Sequence, residues 1–162
     1  FIHSGTARLR GEGSSARYSG DPQMSIEIDV RALTDRFLSE WDEKHSEIPR
    51  LLENMPTQRP ATGPFVRFIA DPNEVAHRAG GKDNPVMERT GQVTIQICVP
   101  AEEGNNLAWK LADSSRAIFH FWHSADDKLR CGDSRINRRP PLENDPYFIV
   151  TVSTSYQSIR HG

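Results

Sequence analysis

The chain has 162 residues, of which 26% are charged, and a formal net charge of −2. That length suits one ordinary domain with a single core and is short for two. The balanced charge excludes the basic surplus of a general nucleic-acid binder, and no apolar run approaches the roughly 18 to 20 residues of a membrane-spanning helix, so neither nucleic acid nor membrane is an expected partner.

Residues 1–23 are rich in Gly, Ser and Arg and show no periodicity, so they read as a flexible leader or an upstream addition. From Met24 the composition becomes patterned, and residues 24–162 are expected to form a single domain. Asp29 is placed to cap a helix in which Val30, Leu33, Phe37 and Trp41 share one face, widened by Leu38. Its other face carries Arg31, Asp35, Arg36, Glu40 and Glu43, a solvated surface. Ile48 to Asn54 reads as a connector or an edge strand, because Pro49 cannot donate to a ladder. Phe65 to Ile69 is a short strand.

The next patterned stretch is the one around which the chain is organised. Val93, Ile95, Ile97 and Val99 alternate with Thr94, Gln96 and Cys98, the period-2 pattern of a strand with one face on a core, opened by Gly91 and closed by Pro100. Between the two strands, Ala70 to Thr90 holds Pro72, Gly80, Gly81 and Pro85 and few apolar residues. About 20 residues without structure is long for a connection in a compact domain. With its flanking strands paired antiparallel it becomes a long flexible hairpin arm.

Asn106 is then placed to cap a second helix, with Leu107, Leu111, Ser115, Ile118, Phe119 and Trp122 at helical spacing and Ala108 and Ala112 beside them. Lys128 to Cys131 reads as a brief strand and Asp133 to Asp145 as a loop. Tyr147 to Tyr156 alternates again as the last core strand, expected beside the central one. The fold class is α+β, a mostly antiparallel sheet with two main helices on one face.

Chemistry is sparse. His120 and His123, three apart on the second helix and followed by Asp126 and Asp127, form a conceivable metal constellation for a small metal-dependent enzyme. Imidazoles at a helix end also complement its negative pole, which asks for no further ligand. For His45 and His77, no nearby Ser or Cys suggests a nucleophile with its base. Gly80-Gly81-Lys82 lacks the spacing and the following helix of a phosphate-binding loop. Cys98 and Cys131 have neither metal-like spacing nor a disulfide framework, and read as small buried side chains in a reducing compartment. No cofactor and no catalytic residue is expected.

The order of helix, Phe-Val-Arg-Phe-Ile strand, polar arm, Arg-Thr-Gly-Gln-Val-Thr-Ile-Gln-Ile-Cys-Val-Pro strand, Gly104 turn and Leu-Ala-x-x-Leu-Ala-Asp helix resembles the tail terminator, or tail completion, proteins of long-tailed bacteriophages. It is similar to the minor tail protein U type and to small phage-derived domains of unknown function. The resemblance covers about Met24 to Ser158 and is strongest from Gly91 to Phe119. It implies a structural role with no chemistry: a six-fold ring that caps the tail tube, stops its polymerisation and presents the surface that joins the head. The implied partners are further copies of the chain, the tail tube protein and a head-tail connector or completion protein. The implied location is the host bacterial cytoplasm during assembly and then the virion tail. On this reading Arg78, Lys82, Asp83, Glu88 and Arg89 of the arm are the candidate assembly residues. Another neck or tail-tube component with the same plan is the alternative within the same class. The leader and the His-x-x-His pair are not part of the family pattern.

Overall fold

The computed structural model describes residues 26–53, 55–56, 59–80, 85–139 and 144–161, and in residues 74–79 the backbone alone. The expected leader therefore lies outside the described residues. The fold is α+β: helix α1 (Ile26–His45), strands β1 (Arg50–Leu52), β2 (Phe65–Ala79) and β3 (Val86–Pro100), helix α2 (Asn105–Phe119), and strands β4 (Leu129–Arg138) and β5 (Tyr147–His161). A single 3-10 turn, Ala101–Glu103, joins β3 to α2. The strands form one sheet in the order β1-β2-β3-β5-β4, antiparallel except for β1 beside β2.

The alternation read in β3 sorts its side chains between two faces. Val93, Ile95, Ile97 and Val99 join Val66 and Phe68 of β2 and Phe148, Val150 and Val152 of β5 in the main core. Both helices close that face: Leu33, Phe37 and Trp41 from α1, and Ala108, Leu111, Ala112, Ile118 and Phe119 from α2. Rings run through the centre, with Phe37 stacked on Phe68 at 4.6 Å between centroids and Phe68 on Phe119 at 6.0 Å. The other face is mostly polar and holds one small cluster of Leu51, Phe65 and Cys98 backed by Tyr147 and Ile149. The Arg59 guanidinium lies 4.3 Å from the centroid of Tyr147 on that side.

Several boundaries correct the sequence reading. Asp29 does not cap α1, which is already helical from Ile26, and its carboxylate is fully buried. Asn106 lies within the first turn of α2; the residue before that helix is Gly104, at a φ of 79°, and no side chain caps the terminus. Gly91 does not open β3 but sits inside it. The stretch from Ala70 to Thr90 is not a structureless loop: β2 and β3 stay paired from Phe65 opposite Cys98 out to Ala79 opposite Val86. The expected hairpin is thus a continued ladder, with register shifts at Pro72/Glu74 and His77/Ala79. Pro72 is tolerated there because β1 ends at Leu52, opposite Phe68, and leaves β2 as the edge. β4 runs through the first part of the expected loop as far as Arg138, and β5 continues past Tyr156 to His161. The edge strand after Pro49 and the pairing of β3 with β5 are as expected.

Gly91 has a steric reason to be glycine. Tyr156, its partner on β5, lays its ring across the strand, and a Cβ on Gly91 would come 2.4 Å from the ring atom Cζ. Gly91→Ala is expected to cost about 1–3 kcal/mol, the usual range for overpacking, read as a lower urea midpoint. In combination with Tyr156→Ala, the penalty of the added methyl should largely vanish.

Candidate functional site

The five arm residues are not brought together at one exposed tip. Lys82 and Asp83 lie outside the described residues, and Arg78 is placed by its backbone alone, near the end of β2. Glu88 and Arg89 belong to the middle of the sheet, paired on one side with β2 and on the other with β5, and both are buried. Gln157 of β5 donates to the Glu88 carboxylate.

Arg89 points to the helical face, where it meets Asp29. Its guanidinium donates to Asp29 Oδ2 at 2.8 Å. Arg160 donates to Oδ1 from Nη2 at 2.5 Å and from Nε at 3.0 Å, and the Ser158 hydroxyl donates to the same oxygen at 3.0 Å. One buried carboxylate therefore holds two nearly buried guanidinium groups and ties the first turns of α1 to β3 and β5. Burial pushes the neighbouring Tyr156 phenol up to about 12, and the negative charge of Asp29 adds to the rise. The cluster is structural in its geometry: every charge is turned inward onto another.

The histidines do not form the conceivable metal constellation on a helix. α2 ends at Phe119; His120 is its C-cap with extended backbone, and His123 sits on the return segment in a single bridge to Arg130. His120 Nδ1 accepts from the Ser134 backbone N–H at 3.2 Å and lies 3.3 Å from Asp133. His123 Nδ1 lies 3.6 Å from Asp127, whose carboxylate is held below its usual range by the hydrogen bond from Arg130. Asp126 is likewise held low, first by the Ser124 hydroxyl and with help from the Lys128 backbone N–H. Each side chain thus serves the turn it stands in. Among the described residues no group of three or more His, Cys, Asp or Glu is placed to hold a metal ion.

One proximity escaped the sequence reading. His45 Nε2 is 2.7 Å from Ser114 Oγ, although 69 residues separate them. The imidazole also lies against Trp41, with centroids 4.7 Å apart. The bond ties the end of α1 to α2, and among the described residues no carboxylate orients the ring as a hydrolytic triad requires. The two cysteines are buried on opposite faces of the sheet, Cys131 in the main core and Cys98 in the small cluster. Burial pushes their thiols up to about 12 and about 11, far from thiolate chemistry.

The exposed features lie instead at the two ends of the sheet. At one end, β1 covers only Val66 to Phe68, so among the described residues β2 from Ile69 onward is an edge. At the other, the segment after α2 runs along β4: Phe121 N–H donates to the Gly132 carbonyl at 3.0 Å and Cys131 N–H to the Trp122 carbonyl at 2.7 Å. Beyond Ser134 that cover stops, and β4 is the edge through Arg138. No described helix is long and apolar enough to cross a membrane.

No family model and no curated relative matches the chain. Among solved structures, one protein whose own name states no function is 22% identical and superposes with a TM-score of 0.58, over 85% of this chain and 96% of its own. The likeness is one of fold.

Proposed function

We propose that the chain is a ring-forming assembly subunit of a bacteriophage tail, which caps the tail tube, ends its polymerisation and offers the surface that joins the head. The observation that supports this reading most is the pair of unlike, partly open edges at opposite ends of one sheet, β2 beyond Ile69 and β4 beyond Ser134. An open edge is a ready surface for another chain. Two different edges favour head-to-tail contacts, which form a ring where the rotation between copies closes. The sequence resemblance supplies the rest: the tail tube protein and a head-tail connector or completion protein as partners, assembly in the host cytoplasm, and a final place in the virion tail. The hairpin that joins β2 to β3 is then the part offered to the tube.

The test is tube capping. Added to elongating tail tubes, the protein is expected to arrest growth and shorten the length distribution seen by electron microscopy. Replacement of residues 80–85 by a two-residue Asn-Gly turn should leave the melting temperature within a few degrees and weaken the arrest. Tubes that grow unchanged in an excess of folded wild-type protein would overturn the proposal.

A further inference from the structure

Among the described residues Phe121 is the most exposed of the large apolar side chains, 66% accessible, and its backbone is left-handed, with a φ of 51°. That conformation is unfavourable for a residue with a bulky side chain, and here it is imposed by pairing: the Phe121 N–H is bonded to Gly132 and the neighbouring Trp122 carbonyl to Cys131. The ring rests on His120, with centroids 4.5 Å apart, and otherwise stands out from the outer side of β4. At the other end of the sheet an apolar groove of about 510 Å³ runs between α1 and the β1/β2 edge. Val30, Thr34 and Leu38 form one wall and Leu52 and Phe68 the other, with the exposed and adaptable Met55 at its mouth.

Charge follows the same polarity. β4 carries Arg135 and Arg138, besides Arg130, whose guanidinium is already held by Asp127, and one acid, Asp133, whereas Glu53 lines the groove. Knob and groove thus lie on opposite edges of the sheet with opposite charge around them, so no rigid copy can fill its own groove.

On the reading of the chain as a ring-forming subunit, we infer that the Phe121 ring of one copy seats in the Val30–Leu38 groove of the next, with Arg135 and Arg138 of β4 on the side of Glu53. The contact is heterologous, and every copy both gives a knob and receives one. An aromatic anchor in a preformed apolar pocket, rimmed by complementary charge, is the form that interface hot spots take.

Sedimentation of three proteins decides it: wild type, Phe121→Ala, and Thr34→Arg, which blocks the groove from a half-buried position on its helical wall. Circular dichroism first checks that both variants fold; should Thr34→Arg not fold, Leu38→Gln replaces it. Each variant alone is expected to associate at least about tenfold more weakly than wild type, the loss typical of a hot-spot truncation. Mixed, the two should form a 1:1 dimer and nothing larger, because one good knob and one good groove remain. Association of Phe121→Ala as tight as wild type would overturn the knob while leaving ring formation standing. A mixture no larger than its components would likewise overturn it, and would point to another occupant of the groove, such as residues 1–25 or a partner protein. Wild type that stays monomeric at every concentration and shortens no tubes would remove the assembly reading and this contact with it.

Discussion

Trp41→Ala is expected to cost about 3–5 kcal/mol of folding stability, the range for truncation of a large buried aromatic. Trp41 is completely inaccessible, on the α1 face turned to the sheet. Its ring lies 5.8 Å from that of Phe37 and 4.7 Å from that of His45, centroid to centroid. Its indole Nε1–H donates to the Ile48 carbonyl at 3.2 Å, just where the chain turns from α1 toward β1. The substitution therefore opens a cavity and also leaves a buried carbonyl without its donor. Urea unfolding followed by circular dichroism measures the loss, and Trp41→Phe should recover part of it by refilling volume without the hydrogen bond. A loss below about 1 kcal/mol would mean that this helix face is not the core that its burial describes.

Asp29→Ala is expected to be of similar size, about 3–5 kcal/mol, for a different reason. The carboxylate is the shared acceptor of Arg89, Ser158 and Arg160, and the side chains of both arginines are only 9% accessible. Without Asp29 two positive charges face each other in a site nearly closed to water. The cost comes from stranding them rather than from the intrinsic worth of an ion pair, so a triple variant, Asp29→Leu with Arg89→Met and Arg160→Met, should recover most of the stability. If the single substitution proved harmless and the triple one damaging, packing rather than charge would hold this end of the sheet.

These two sites mark where the sequence was legible and where it was not. Trp41 stands on a face that helical spacing reveals directly, as do Leu111, Ile118 and Phe119, because each meets an apolar core. The alternation of β3 is equally open from Val93 to Val99. It falls silent from Val86 to Gly91, and β5 falls silent from Gln157 to His161, because at that end Arg89, Ser158 and Arg160 take the positions that Val or Ile hold elsewhere. An ionic core has no hydrophobic period to read. The same residues explain why Asp29 passes for a helix cap: its partners are 60 and 131 positions away and leave no local mark. Of the candidate site, the sequence pointed to the arm but placed Glu88 and Arg89 at its surface, whereas the ladder buries both. Phe121 gives no signal at all, since its exposure depends on the way the chain turns back along β4.

The place of β5 between β3 and β4 bears on how the molecule comes into being. Both neighbours precede it in the chain, so before β5 is available the sheet is two unfinished pieces, each with a naked edge along the future seam. The bonds that close the far end, from Arg160 back to Asp29, span 131 residues. Such non-local closure is slow compared with helix or hairpin formation. During synthesis the early elements must wait, and a chain cut short before Tyr147 has no means of joining β3 to β4. Only a chain that has reached its fifth strand can present both outer edges on one sheet, so in the assembly role proposed above completion of the fold would act as its own check on each copy.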